Sequence, residues 1–161
     1  MRNLKRRDLQ AGKGEWMSEK WDQRFLALAD HISGWSKDPS TQVGCVVVGV
    51  DREIRSTGFN GFPRGIADDA ERLGDREKKY PLICHAEENA IMHAARIGLA
   101  LKGCTAYVTW PPCTRCARSL IQAGVIEVVY PAASEVPERW KDDFDLSTRM
   151  MGEAGLKIRQ A

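Results

Sequence analysis

A chain of 161 residues with 43% apolar side chains can bury one core without disulfide support. Its formal net charge of +2 argues against a nucleic-acid footprint over the whole surface, and its longest apolar run, Val43 to Val50, falls far short of the roughly 20 residues that cross a bilayer. Five cysteines, an odd number, and the lack of a secretory apolar segment point to a soluble protein of a reducing compartment, the cytoplasm, whose thiols are ligands or core residues.

Residues 1–17 carry Gly, Lys and Arg without periodicity. They read as a flexible leader to one domain over 18–161, and the basic run from Arg2 to Arg7 reads as a solvated chain end. From Glu19, the positions Trp21, Phe25, Leu28, Ala29 and Ile32 recur at helical spacing, with Asp38-Pro39 as a stop. Val43 to Val50 reads as a buried strand, and Arg52 to Phe59 returns antiparallel through a short turn at Asp51 and Arg52. Asn60 to Gly65 is a loop whose glycines allow close backbone approach. Residues 66–80 are highly charged and predict exposed irregular structure or a short surface helix. The second main helix is expected over Pro81 to Ile97, starting close to His85 and closed by Gly98. Thr105 to Thr109 follows as a strand, then a helix from Cys113 to Ala123 stopped by Gly124. Val125 to Tyr130 is a fourth strand, a helix lies within Glu138 to Ala154, and Leu156 to Arg159 is a short fifth strand. Strands alternating with helices imply an α/β layered fold.

The chemistry concentrates between Cys84 and Leu120. Cys113-Thr114-Arg115-Cys116 follows Pro112 and opens a helix, where free backbone N–H groups and positive partial charge favour thiolates. Two thiolates one turn apart can share a tetrahedral ion, and His85 can supply a nitrogen. Three protein ligands leave a fourth position to water, the mark of a catalytic rather than a structural zinc. An ion with two thiolates and a neutral imidazole carries no net charge, so a nearby carboxylate base would help form hydroxide. Glu87 is that candidate. It follows His85 by two residues, about 200° around a regular helix, but irregular first-turn geometry can bring both to one pocket. Glu88 reads as a surface group or one supporting the ligands. Taken alone, His85 is as readily a cap, and the Cys113/Cys116 pair a redox motif. The joint pattern of His-x-Glu and Pro-Cys-x-x-Cys is the signature of zinc base deaminases. Cys45, Cys84 and Cys104 read as packed thiols, and His31 and His93 as structural or surface residues.

Beyond the metal motifs, Lys37 to Gly44, Gly58-Phe59-Asn60-Gly61-Phe62-Pro63-Arg64-Gly65, Lys79 to Met92 and Cys116 to Val125 resemble segments of the cytidine and deoxycytidylate deaminase superfamily, most closely its deoxycytidylate branch. The likeness runs over about residues 20 to 160. It implies a three-layer α/β/α sandwich around a five-stranded mixed sheet. It assigns zinc, one ion per subunit, to His85, Cys113 and Cys116, and proton shuttling to Glu87. It implies hydrolysis of dCMP to dUMP and ammonia, with Asn60 facing the substrate and Thr41 and Gln42 nearby. It also implies a homo-oligomer, often a hexamer, and dCTP and dTTP as effectors. Arg64 and Lys37 are candidate phosphate partners, since a guanidinium fork suits phosphate; each reads equally as a solvated charge. The zinc motifs are shared with tRNA adenosine and other nucleobase deaminases, which form the alternative, and the Asn60 loop favours a free nucleotide. The run Thr109-Trp110-Pro111-Pro112 departs from the usual bulky residue and Pro before the first Cys. No Cys/His cluster lies between Gly65 and Tyr80, so one zinc is expected.

Overall fold

A computed structural model describes residues 19–134 and 136–161. The leader expected over 1–17, with its basic run, lies outside the described residues. Helix α1 (Glu19–Ser33) precedes the hairpin of β1 (Gly44–Val48) and β2 (Ile54–Phe59). Two short helices follow, α2 (Ala70–Gly74) and α3 (Arg76–Lys79). Then come α4 (Ala86–Ile97), β3 (Thr105–Val108), α5 (Thr114–Gln122) and β4 (Glu127–Tyr130). A 3-10 turn (Glu138–Trp140) leads into α6 (Lys141–Glu153), and β5 (Lys157–Gln160) closes the order.

The five strands form one sheet in the order β2-β1-β3-β4-β5. The β1–β2 and β1–β3 pairs are antiparallel, and β3–β4 and β4–β5 are parallel. The sheet is therefore mixed and five-stranded, as expected. Side chains alternate between its faces. Val46, Val48, Tyr107 and Val129 meet Phe25, Ala29 and Ile32 of α1 on one face. Cys45, Val47, Ala106, Val108 and Val128 meet Ala90 and Ala94 of α4, Ala117 and Leu120 of α5, and Met151 of α6 on the other. Among the described residues, no helix is long and apolar enough to cross a membrane.

The alanines of α4 let that helix lie close to the sheet, and Gly58 of β2 completes the fit. A Cβ at Gly58 would stand 2.2 Å from the Ala86 carbonyl oxygen and 2.4 Å from the Ala90 nitrogen. The αL conformation at Gly98 (φ 74°) ends α4 as expected.

The strands β1, β2, β3 and β4 are each one to three residues shorter than expected, and the largest difference is at the start of α4. The segment Pro81 to His85 is not helical. The amides of Leu82 and Ile83 both donate to the Lys79 carbonyl, which closes α3, and Cys84 exchanges two backbone hydrogen bonds with Gly61 in an antiparallel bridge. Extended pairing with the Asn60 loop thus takes the backbone that a longer helix would use.

Candidate metal centre and active site

Two helix starts converge on one point. His85 is the N-cap residue of α4 (φ −76°, ψ 162°), and Cys113 that of α5 (φ −72°, ψ 170°). Because His85 has extended backbone, the angular offset of a regular helix does not separate it from Glu87. His85 Nδ1 lies 3.3 Å from Cys113 Sγ and 3.4 Å from Cys116 Sγ. The ligand atoms of the three residues all fall within 4.8 Å of one another. A tetrahedral zinc with bonds of about 2.3 Å to sulfur and about 2.0 Å to nitrogen sets S···N separations of about 3.5 Å. The donor set and its spacing therefore fit zinc.

The surrounding residues hold these ligands. Glu88 accepts from the His85 amide at 3.1 Å and from Arg115 Nε at 2.6 Å, joining the starts of α4 and α5. Asp143 of α6 caps α5 from outside, accepting from the Thr114 amide at 3.0 Å and its hydroxyl at 2.7 Å. Ser147 donates to the Pro112 carbonyl at 2.7 Å and fixes the turn before Cys113.

The electrostatics follow from burial and thiol pairing. A hydrogen bond from the Cys116 thiol, with a further contribution from His85, holds the Cys113 thiol down to about 4 against burial. The Cys116 thiol is correspondingly pushed up by that hydrogen bond and by burial. The two sulfurs thus share one proton readily lost to a dication, which would hold both as thiolates. Glu87 is 4% exposed. Burial, with the Cys113 thiolate adding to it, pushes its carboxyl up to about 7.

A cavity of about 390 Å³ opens over this cluster, within the range of small-molecule sites. Glu87, His85 and Cys113 line it, with Asn60 and Thr41 on the same wall. Asn60 is buried and braces the loop. Its Oδ1 accepts from the Val43 amide at 2.7 Å and its Nδ2 donates to the Thr41 carbonyl at 2.9 Å. Three residues expected near substrate are not among those lining the cavity. Gln42 donates to the Ser36 carbonyl at 2.6 Å, Lys37 pairs with Asp68 at 2.7 Å, and Arg64 is exposed.

The cavity is lined as well by residues that sequence reasoning did not single out. Lys79, expected in an exposed segment, is 4% exposed and donates to Asp38 at 2.9 Å and to Ser40 at 2.7 Å. Arg76, Arg139, Trp140 and Phe144 complete the wall with Trp110. The signal for the last group was the i, i+4 pair Trp140 and Phe144 beside a cation, on an element fixed only within a broad range.

The family described as the cytidine and deoxycytidylate deaminase zinc-binding region matches residues 19–132. The chain belongs to this family. An uncharacterized deaminase of Aliivibrio fischeri is 43% identical over 143 residues, covering 88% of this chain and 94% of that protein. Human deoxycytidylate deaminase is 40% identical over 116 residues, covering 69% of this chain; the chain spans 64% of the human protein's length. Among solved structures, dCMP deaminase from the cyanophage S-TIM5, in complex with dCMP and dUMP, superposes with a TM-score of 0.75 at 24% identity. That match covers 90% of this chain and 99% of the phage chain, and it shows the shared fold.

Proposed function

We propose that this protein hydrolyses dCMP to dUMP and ammonia, with one zinc ion per chain held by His85 Nδ1 and the sulfurs of Cys113 and Cys116. The buried Glu87 carboxylate beside that ligand cluster, on the wall of a cavity of nucleotide size, carries this reading. The deoxycytidylate deaminases among the relatives supply the substrate.

Zinc bound here supplies Lewis-acid activation of water at neutral pH. Glu87 accepts a proton from the attacking water as it adds to C4 of the cytosine and delivers it to the N3 ring nitrogen; it then takes the remaining proton from the C4 hydroxyl and passes it to the amine, so that the C4–N bond breaks as the C4 carbonyl forms. Water is consumed and ammonia leaves, so the chemistry balances without another reactant. Burial keeps Glu87 from competing water. The Glu88–Arg115 pair and the Asp143 cap keep the helix starts from fraying apart, so the ligand geometry is set before substrate arrives. Thr41 and Asn60 form the nucleoside-facing wall. Asn60 acts there chiefly by fixing the backbone at Thr41 and Val43.

Ammonia release from dCMP tests the reading, with dCTP, cytidine and guanine assayed alongside. Preferred turnover of dCMP is expected. Turnover of a non-cytosine substrate alone would overturn it.

A further inference from the structure

A dCMP substrate carries a phosphate monoester of about −1.5 to −2 charge at neutral pH, and its recognition needs cations on the cavity wall. Lys37 pairs with Asp68, and neither Lys37 nor Arg64 is among the residues lining the cavity. Lys79 is on the wall, but its ammonium is committed to Asp38 and Ser40 in a buried pair. Two cations remain, Arg76 of α3 and Arg139 of the 3-10 turn before α6. Both line the cavity, both are exposed, and neither guanidinium has a hydrogen-bond or ion-pair partner among the described residues.

We propose that Arg76 and Arg139 are the phosphate-recognising residues of this site and set its preference for a nucleotide over the free nucleoside. The inference rests on the dCMP reading above and names which of its side chains select the substrate. The charge count agrees. On the wall, Asp38 and Lys79 cancel, and Glu87 belongs to the metal centre. The two unpartnered guanidiniums remain to balance one phosphate dianion. Both are exposed and line the same cavity as Glu87, so a phosphate held by them leaves the rest of the nucleotide within that cavity. Guanidinium forks bind phosphate oxygens in pairs, and such charge-assisted hydrogen bonds are stronger than neutral ones.

Calorimetric binding of dUMP and of deoxyuridine to the zinc-loaded protein tests this. The wild type is expected to hold dUMP far more tightly than deoxyuridine. Each of Arg76→Ala and Arg139→Ala should weaken dUMP about tenfold, and the double variant about a hundredfold, with deoxyuridine affinity unchanged. Arg96→Ala, which removes one exposed charge from α4, controls for general electrostatics and should change neither affinity. Undiminished dUMP binding in the double variant would overturn the proposal. So would an equal loss for deoxyuridine, which would mean that the arginines only shape the pocket. A wild type indifferent to the phosphate would also overturn it. Failure of the wild type to release ammonia from dCMP would instead contradict the reaction, and the binding comparison would still judge the two arginines.

Discussion

Asn60 shows how one side chain serves a site without standing free in it. Its two amide ends are matched to a donor at Val43 and an acceptor at Thr41, and its own carbonyl accepts from the Ser36 hydroxyl at 2.8 Å. Asn60→Ala would leave the part-buried Val43 N–H and Thr41 C=O without this partner, each at a cost of about 1–2 kcal/mol. The variant should therefore lose about 2–4 kcal/mol of stability in urea denaturation, besides losing activity. A variant as stable as the wild type, but inactive, would show instead that Asn60 acts only on substrate. Loop composition at Asn60-Gly61 announces a turn. It does not reveal which backbone groups the amide satisfies, because those lie at Thr41 and Val43, far away in the sequence.

At the scale of elements, the position of α4 decides the geometry of His85 and Glu87, and Gly58 decides the position of α4. Gly58→Ala would push a methyl group into the Ala86 carbonyl and the Ala90 amide, both backbone and unable to rotate away. Overpacking of this kind costs about 1–3 kcal/mol. Because the strain falls on the first turn of α4, zinc affinity and kcat should fall with stability, as read by metal content and turnover. The buried Asp38–Lys79 pair ties α3 to the segment before β1. Burial raises Asp38, but the Ser40 amide, the Lys79 ammonium and the Ser40 hydroxyl together hold its carboxyl below the ordinary range. A lowered native pKa means stability that is present above the unfolded value of about 3.9 and lost as pH falls through the native value. Lys79→Met, which leaves Asp38 buried and unpaired, should cost about 3–5 kcal/mol near neutral pH. The gap between wild type and variant should shrink below the ordinary value of about 3.9, as pH falls toward the lowered native value of Asp38. Denaturation curves at both pH values check this, and a gap that stays constant contradicts it. Most elements were legible in the sequence because periodicity, Gly98, Gly124 and the β-branched run of β1 are local signals. The helix start near Pro81 was not, since Cys84 pairs with Gly61 across a loop. Nor was the burial of Lys79, because its counterion Asp38 is remote in sequence.

On the scale of the whole molecule, one face of the sheet brings together the starts of two helices that precede and follow β3 in the chain. The resulting centre was the most legible part of the chain, because His85, Glu87, Cys113 and Cys116 each sit at the boundary of an element, where spacing constrains position. The rest of the wall was not. Arg76, Arg139, Trp140 and Phe144 reach the cavity only through the packing of α3 and α6 around it. The proposed function depends on Glu87 moving protons beside a metal held by the other three residues. The most direct measurement is dCMP turnover and zinc content of Glu87→Gln against the wild type, prepared identically. The account predicts zinc retained near one per chain and kcat lower by about 10³-fold or more, the scale of a lost general acid–base group. Turnover surviving in Glu87→Gln, or wild-type protein releasing ammonia from dCMP without metal, would contradict it.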